Sequence, residues 1–155
     1  MVGGRKRARC RERNSVLVFD EETVILDLLA LVLTREGYDV TTAARHEEAL
    51  ELFSGGTFDL AITDLGLHNR NGRRLVQEIK EISSETVIVS MAAYPAVEIQ
   101  GFAEEHTQAF LVKPFDMSEL LATVRSALGR GSVTESGPGP AFASRQGVPV
   151  AAASG

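Results

Sequence analysis

The chain has 155 residues, 44% of them hydrophobic, and a formal charge of −5 from 16 Lys and Arg against 21 Asp and Glu. That length and apolar content suit one domain with a real core, and no run of eighteen apolar residues is available to span a bilayer. The basic start lacks the apolar stretch of a secretory signal, and the lone Cys10 excludes both a disulfide framework and a cysteine metal site, so a reducing, cytoplasmic setting is the expectation.

The net charge hides an asymmetry. Arg5, Lys6, Arg7, Arg9, Arg11 and Arg13 crowd the first 14 residues, and Arg130 and Arg145 lie in the tail. Residues 15–128 keep eight basic residues against nineteen acids, a formal charge near −11. Phosphate contacts need a positive surface, so direct DNA binding by this part is not expected. Residues 1–14 read as a disordered basic leader.

Val16–Phe19 is a buried apolar run ending in the acids Asp20, Glu21 and Glu22. Val24, Ile25, Leu28, Leu29, Leu31, Val32 and Leu33 then mark a helix with a wide apolar stripe, stopped by Gly37. Tyr38–Thr42 is a β-branched strand, and Glu47–Phe53 a short amphipathic helix closed by Gly55 and Gly56. Leu60–Thr63 is a nearly unbroken apolar run, the pattern of a strand buried on both faces. Asp64 arrives where that strand should stop. Gly66, Asn69, Asn71 and Gly72 follow as loop residues, and Leu75, Val76 and Ile79 recur at helical spacing. Val87–Ser90 is a fourth strand, Ala96–Glu105 a weak fourth helix, and Phe110–Val112 a fifth strand ending at Lys113-Pro114. Asp116, with Glu119 three residues on, opens a last helix through Leu128 as a capping box. Residues 129–155 are rich in Gly, Pro, Ser and Ala and read as a disordered tail.

Five strands alternating with five helices predict an α/β fold, a doubly wound parallel sheet with right-handed crossovers and helices on both faces. In such a sheet the residues just past each strand end gather on one rim, where open α/β sheets bind ligands. Here those residues are Asp20 and Glu21, Asp64, Ser90 and Lys113. Alone, Asp64 reads equally well as a helix cap. Three acids together need a compensating cation, because like charges at close range disfavour joint ionisation. Either the Lys113 ammonium or a divalent ion meets that need, and all-oxygen donors suit Mg2+. A phosphoryl oxygen can then be bridged by the metal while Lys113 and Ser90 take the others, with Asp64 as the nucleophile forming an acyl phosphate.

VLVFDEE at the first strand, DLAITDLGL leading to Gly72 at the third, VIVS at the fourth and FLVKPFD at the fifth resemble a response-regulator receiver domain, the phospho-acceptor half of two-component signalling. The resemblance covers residues 15–128. It implies a CheY-like, flavodoxin-like sheet in the order 2-1-3-4-5. By that resemblance Asp64 accepts a phosphoryl group from a sensor histidine kinase or phosphotransfer protein. Asp20, Glu21 and Asp64 hold Mg2+ with the main-chain carbonyl of Gly66, and Lys113 pairs with the phosphoryl group. Ser90 and Phe110 form the switch, and the bond before Pro114 is cis. The functional expectation is a stand-alone receiver that switches contacts with a downstream protein target, homodimerisation through the fourth-helix and fifth-strand face included, with only self-catalysed phosphotransfer and autodephosphorylation as chemistry.

The sequence also departs from that pattern. Glu21 stands where an Asp is usual, His68 where a Pro is usual, and His106-Thr107 where a Gly-Ala pair usually precedes the fifth strand. A Gly there would take a left-handed conformation freely, so His106 implies strain or a rebuilt loop. His46, His68 and His106 read as surface residues rather than ligands. The spacing to Lys113 would place Met91, without a hydroxyl, in the switch position; the Ser-Met pair after such a strand favours Ser90. Two alternatives stay open: a receiver-like docking module that is not phosphorylated, and a small Mg2+-dependent phosphatase-like enzyme, which usually has a second acid where Gly66 stands.

Overall fold

The computed structural model describes residues 13–66, 70–93 and 97–129. The readings made for residues 1–12, for His68, Asn69 and Ala96, and for the tail from residue 130 onward lie outside the described residues. Asn14, the last residue assigned to the leader, already accepts a hydrogen bond from the Asp39 amide at 2.9 Å.

Strands β1 (Ser15–Phe19), β2 (Asp39–Ala43), β3 (Leu60–Asp64), β4 (Val87–Ala92) and β5 (Ala109–Val112) form one parallel sheet in the order β2-β1-β3-β4-β5. Helices α1 (Thr23–Arg35), α2 (His46–Gly55), α3 (Asn71–Ile82), α4 (Val97–His106) and α5 (Met117–Ala127) join them. No described helix is long and apolar enough to cross a membrane.

The strand alternation builds two cores. Val16, Val18, Leu60, Ile62, Val89, Met91 and Leu111 pack against Leu26, Leu29 and Leu33 of α1 and Leu120 and Val124 of α5. On the other face Leu17, Phe19, Ala61, Ile88, Ala92 and Phe110 meet α2, α3 and α4. Because each central strand is covered on both sides, its residues are mostly apolar, with Thr63 and Ser90 the buried hydroxyls within β3 and β4. A side chain's face is then set by its parity alone.

Helix ends follow their local chemistry. Gly37 takes φ +98°, and Tyr38 N–H returns to the Leu33 carbonyl at 3.1 Å, a Schellman stop for α1. Asp116 accepts from the Glu119 amide at 2.8 Å to start α5. His106 is the last residue of α4, and Thr107 N–H still bonds the Ala103 carbonyl at 2.9 Å. The connection to β5 is therefore helical at His106, so the expected strain does not arise there. His46 is likewise corrected: it is 8% exposed, and its Nε2 lies 2.6 Å from Glu78 Oε1 on α3. A polar ring avoids the surface there because a partner on a neighbouring helix satisfies it.

Candidate functional site

β1 and β3 lie side by side at the centre of the sheet, with Phe19 opposite Thr63. Asp20 follows Phe19, and Asp64 ends β3, so both carboxylates emerge at the same rim. By parity with Val18 and Ile62 they belong to the α1/α5 side. Lys113 follows β5 on that side, and its amide extends the ladder to the Ala92 carbonyl at 2.8 Å. Its Nζ lies 2.7 Å from Asp20 Oδ2, 3.2 Å from Asp64 Oδ1 and 3.7 Å from Glu22 Oε1. One ammonium thus serves three carboxylates.

Burial sets the electrostatics. Asp20 is fully buried, while Asp64 and Lys113 are each 16% exposed. Desolvation pushes the Asp64 carboxyl above the usual range, and the Asp20 charge pushes it further, against the pull of Lys113. Burial by itself would lower Lys113, but its hydrogen bond to Asp20 and the charges of Asp64 and Asp20 outweigh that and hold the ammonium above its ordinary value. The site therefore keeps its ammonium firmly charged and resists ionisation of the Asp64 carboxyl.

Two backbone features place Asp64. Gly66 adopts φ +75°, a left-handed turn that carries the chain off the strand. Gly72, in the first turn of α3, presses on the Asp64 carbonyl: a Cβ there would overlap that oxygen and lie 2.7 Å from the Asp64 carbonyl carbon and 2.8 Å from Leu65 Cα. The Lys113–Pro114 peptide is cis.

Not every expected residue joins. β4 continues through Met91 and Ala92, so Ser90 lies inside the strand, opposite Thr63 and Phe110 rather than Asp64. Its parity is that of Ile88 and Ala92, the α3/α4 face. There it is fully buried, its hydroxyl 3.0 Å from Thr107 Oγ1 and donating to the Ala109 carbonyl at 3.2 Å. The rim-end expectation for Ser90 is thereby corrected, and Met91 is the cross-strand neighbour of Asp64. Phe110 is buried in the same core as the α4 residues Ile99 and Ala103. Glu21 is exposed, and its Oε2 accepts from Asn71 Nδ2 at 2.9 Å. Glu22, named among the acids after the first strand but not among the expected site residues, faces Lys113 instead.

Among the described residues no group of three or more His, Cys, Asp or Glu is assembled as a metal cluster. The hard-oxygen pair Asp20 and Asp64 nonetheless fits Mg2+, which takes one or two carboxylates and keeps several waters.

Fold and rim together define a CheY-like α/β protein with its site at the carboxyl edge of a 2-1-3-4-5 sheet. The chain belongs to the response regulator receiver domain family of two-component systems, whose model matches residues 16–125. It is 32% identical over 120 residues to a probable transcriptional regulator, ycf27, of Cyanidium caldarium, covering 77% of this chain and 48% of that protein. It spans about half the length of the curated relatives it matches. Among solved structures, a CheY-like receiver domain protein from Methanospirillum hungatei superposes with TM-score 0.71 at 26% identity, covering 76% of this chain and 94% of that one. The response regulator TrrA from Thermotoga maritima, solved in complex with Mg2+ and BeF, gives 0.67 at 31% identity, covering 74% and 98%.

Proposed function

We propose that this domain is a phosphorylation-controlled binding module in which Asp64 accepts a phosphoryl group from a sensor histidine kinase or phosphotransfer protein. The observation that carries the reading is Lys113 Nζ held between Asp20 and Asp64 at 2.7 and 3.2 Å. An ionised Asp64 oxygen attacks the phosphorus, the bond from phosphorus to the donor nitrogen breaks, and its electron pair leaves with the donor imidazole. The new acyl phosphate brings about two negative charges beside Lys113, which exchanges a carboxylate for a phosphoryl oxygen. Bound Mg2+ would supply further charge neutralisation from Asp20, Asp64 and the Gly66 carbonyl, with Glu21 reaching it only by leaving Asn71.

The rest of the chemistry is positional. Asp20 orients Lys113, Gly72 fixes the Asp64 backbone, and the cis bond before Pro114 belongs to the segment that delivers the lysine. Output runs through protein contacts that the added charge redistributes, and catalysis is limited to self-phosphorylation and autodephosphorylation. The superposition with the Mg2+–BeF complex of TrrA supports the metal assignment.

A second reading is favoured by two features: Glu21 is held by Asn71, and Ser90 lies on the opposite face of the sheet from Asp64, so the domain can serve as a docking surface without phosphorylation. Phosphotransfer profiling against purified, autophosphorylated histidine kinases separates the two. Transfer to the wild type and none to Asp64→Asn supports the acceptor; failure of every kinase, together with no Mg2+-dependent shift of rim amides, favours the docking surface.

A further inference from the structure

Glu22 is the residue preceding the first helical residue of α1, in extended conformation at φ −93° and ψ 110°, and its side chain makes no capping bond to the helix. A Glu at that place would ordinarily be turned back on the free amides or left in water. Instead its own N–H donates to Asp20 Oδ1 at 2.9 Å, which folds the turn so that its Oε1 comes within 3.7 Å of Lys113 Nζ. Its neighbour Glu21 accepts from Asn71 Nδ2, at the start of α3, at 2.9 Å. Of the two glutamates after β1, it is Glu22 whose charge meets the rim, and that charge also raises the Asp64 carboxyl.

We propose that Glu22 is a positioning residue that sets the charge balance of the rim, holding Lys113 from the solvent side so that cation loading is favoured and arrival of a phosphoryl anion is opposed. The inference rests on the acceptor role of Asp64. Its physical content is a sign: one negative charge facing the ammonium strengthens attraction for a divalent cation and weakens it for an anion. The carboxylate is 70% exposed, so the effect is modest and screened by salt.

The test uses the full chain and the variants Glu22→Gln, which removes the charge, and Glu22→Asp, which keeps it. Mg2+ alone is titrated while rim amides are followed by NMR. Phosphorylation by acetyl phosphate is timed by intact mass with Mg2+ saturating for each variant. In Glu22→Gln the Mg2+ affinity is expected to fall and the phosphorylation rate to rise, each by about two- to fivefold, and both differences to shrink in about 0.5 M NaCl. Glu22→Asp restores the wild-type direction. A lesion of the fold would move both quantities the same way, and that result, or no change in Mg2+ affinity, overturns the proposal. A phosphorylated wild type with Glu22→Gln reacting at the same rate overturns the role of Glu22 alone. A wild type that binds Mg2+ and takes no phosphoryl group overturns the acceptor reading, and with it the anion half of the balance.

Discussion

Met91 and Asp64 are cross-strand neighbours at the rim, and the Leu65 amide donates to the Met91 carbonyl at 2.8 Å just beyond them. The β4 residue paired with Asp64 therefore carries a fully buried thioether. Ser90, one residue earlier, is on the opposite face. Ser90→Ala is expected to leave the rate of phosphorylation by acetyl phosphate within about twofold of wild type and to cost about 1 kcal/mol of stability, because Thr107 keeps its bond to the Ala103 carbonyl. Loss of phosphorylation in this variant, with the fold intact, would return Ser90 to the site.

Removing the ammonium strands a buried charge. Lys113→Met leaves Asp20, fully buried, with the Glu22 amide as the one remaining partner of its side chain among the described residues, and two carboxylates facing each other. The expected loss is about 3 kcal/mol in urea unfolding at pH 7, recovered in part in the double variant with Asp20→Asn. Simple additivity of the two changes would show that the pair is not coupled.

Gly72→Ala tests how tightly α3 sets the acceptor. The added methyl meets backbone atoms of Asp64 and Leu65, which cannot rotate aside. A loss of at least about 1–3 kcal/mol is expected, with phosphorylation reduced because Asp64 is displaced. Unchanged stability and rate would mean that the helix start yields freely.

The pH dependence has a defined sign. The folded-state pKa of Asp64 lies above its ordinary value of 3.8, so the native state holds that proton more tightly than the unfolded chain. Ionised Asp64 therefore costs stability at neutral pH, and the cost is relieved as pH falls through the raised value. Asp64→Asn, uncharged and nearly the same shape, is expected to raise the melting temperature at pH 7. A carbon-13 NMR titration of the metal-free protein should place the Asp64 midpoint above 3.8. Lys113 works oppositely: its folded-state pKa is above 10.5, so its contribution is complete below that value and is lost as pH rises through the folded one. A midpoint for Asp64 at or below 3.8 would contradict the burial argument.

Much of this was legible in the residues. Short, mostly apolar runs between turn signals give the parallel sheet, and an acid or lysine directly after a run marks the rim, which is how Asp20, Asp64 and Lys113 are found. Ser90 misled for a physical reason. A hydroxyl after Val87–Val89 looks like a strand end, yet Met91 and Ala92 are as apolar as the strand and extend it, so parity carries Ser90 to the other face. Glu21 and Glu22 are alike in sequence, and only the bond from the Glu22 amide to Asp20 decides which one turns toward Lys113. His46 and Glu78 are 32 residues apart, and no local pattern reports a pair that forms between two helices.

The acceptor assignment is tested most directly by intact mass. Wild type and Asp64→Asn are each incubated with acetyl phosphate and Mg2+ and weighed before the acyl phosphate hydrolyses. One phosphoryl group on the wild type and none on Asp64→Asn is the expected result. An unmodified wild type, or the same addition on both proteins, would contradict it.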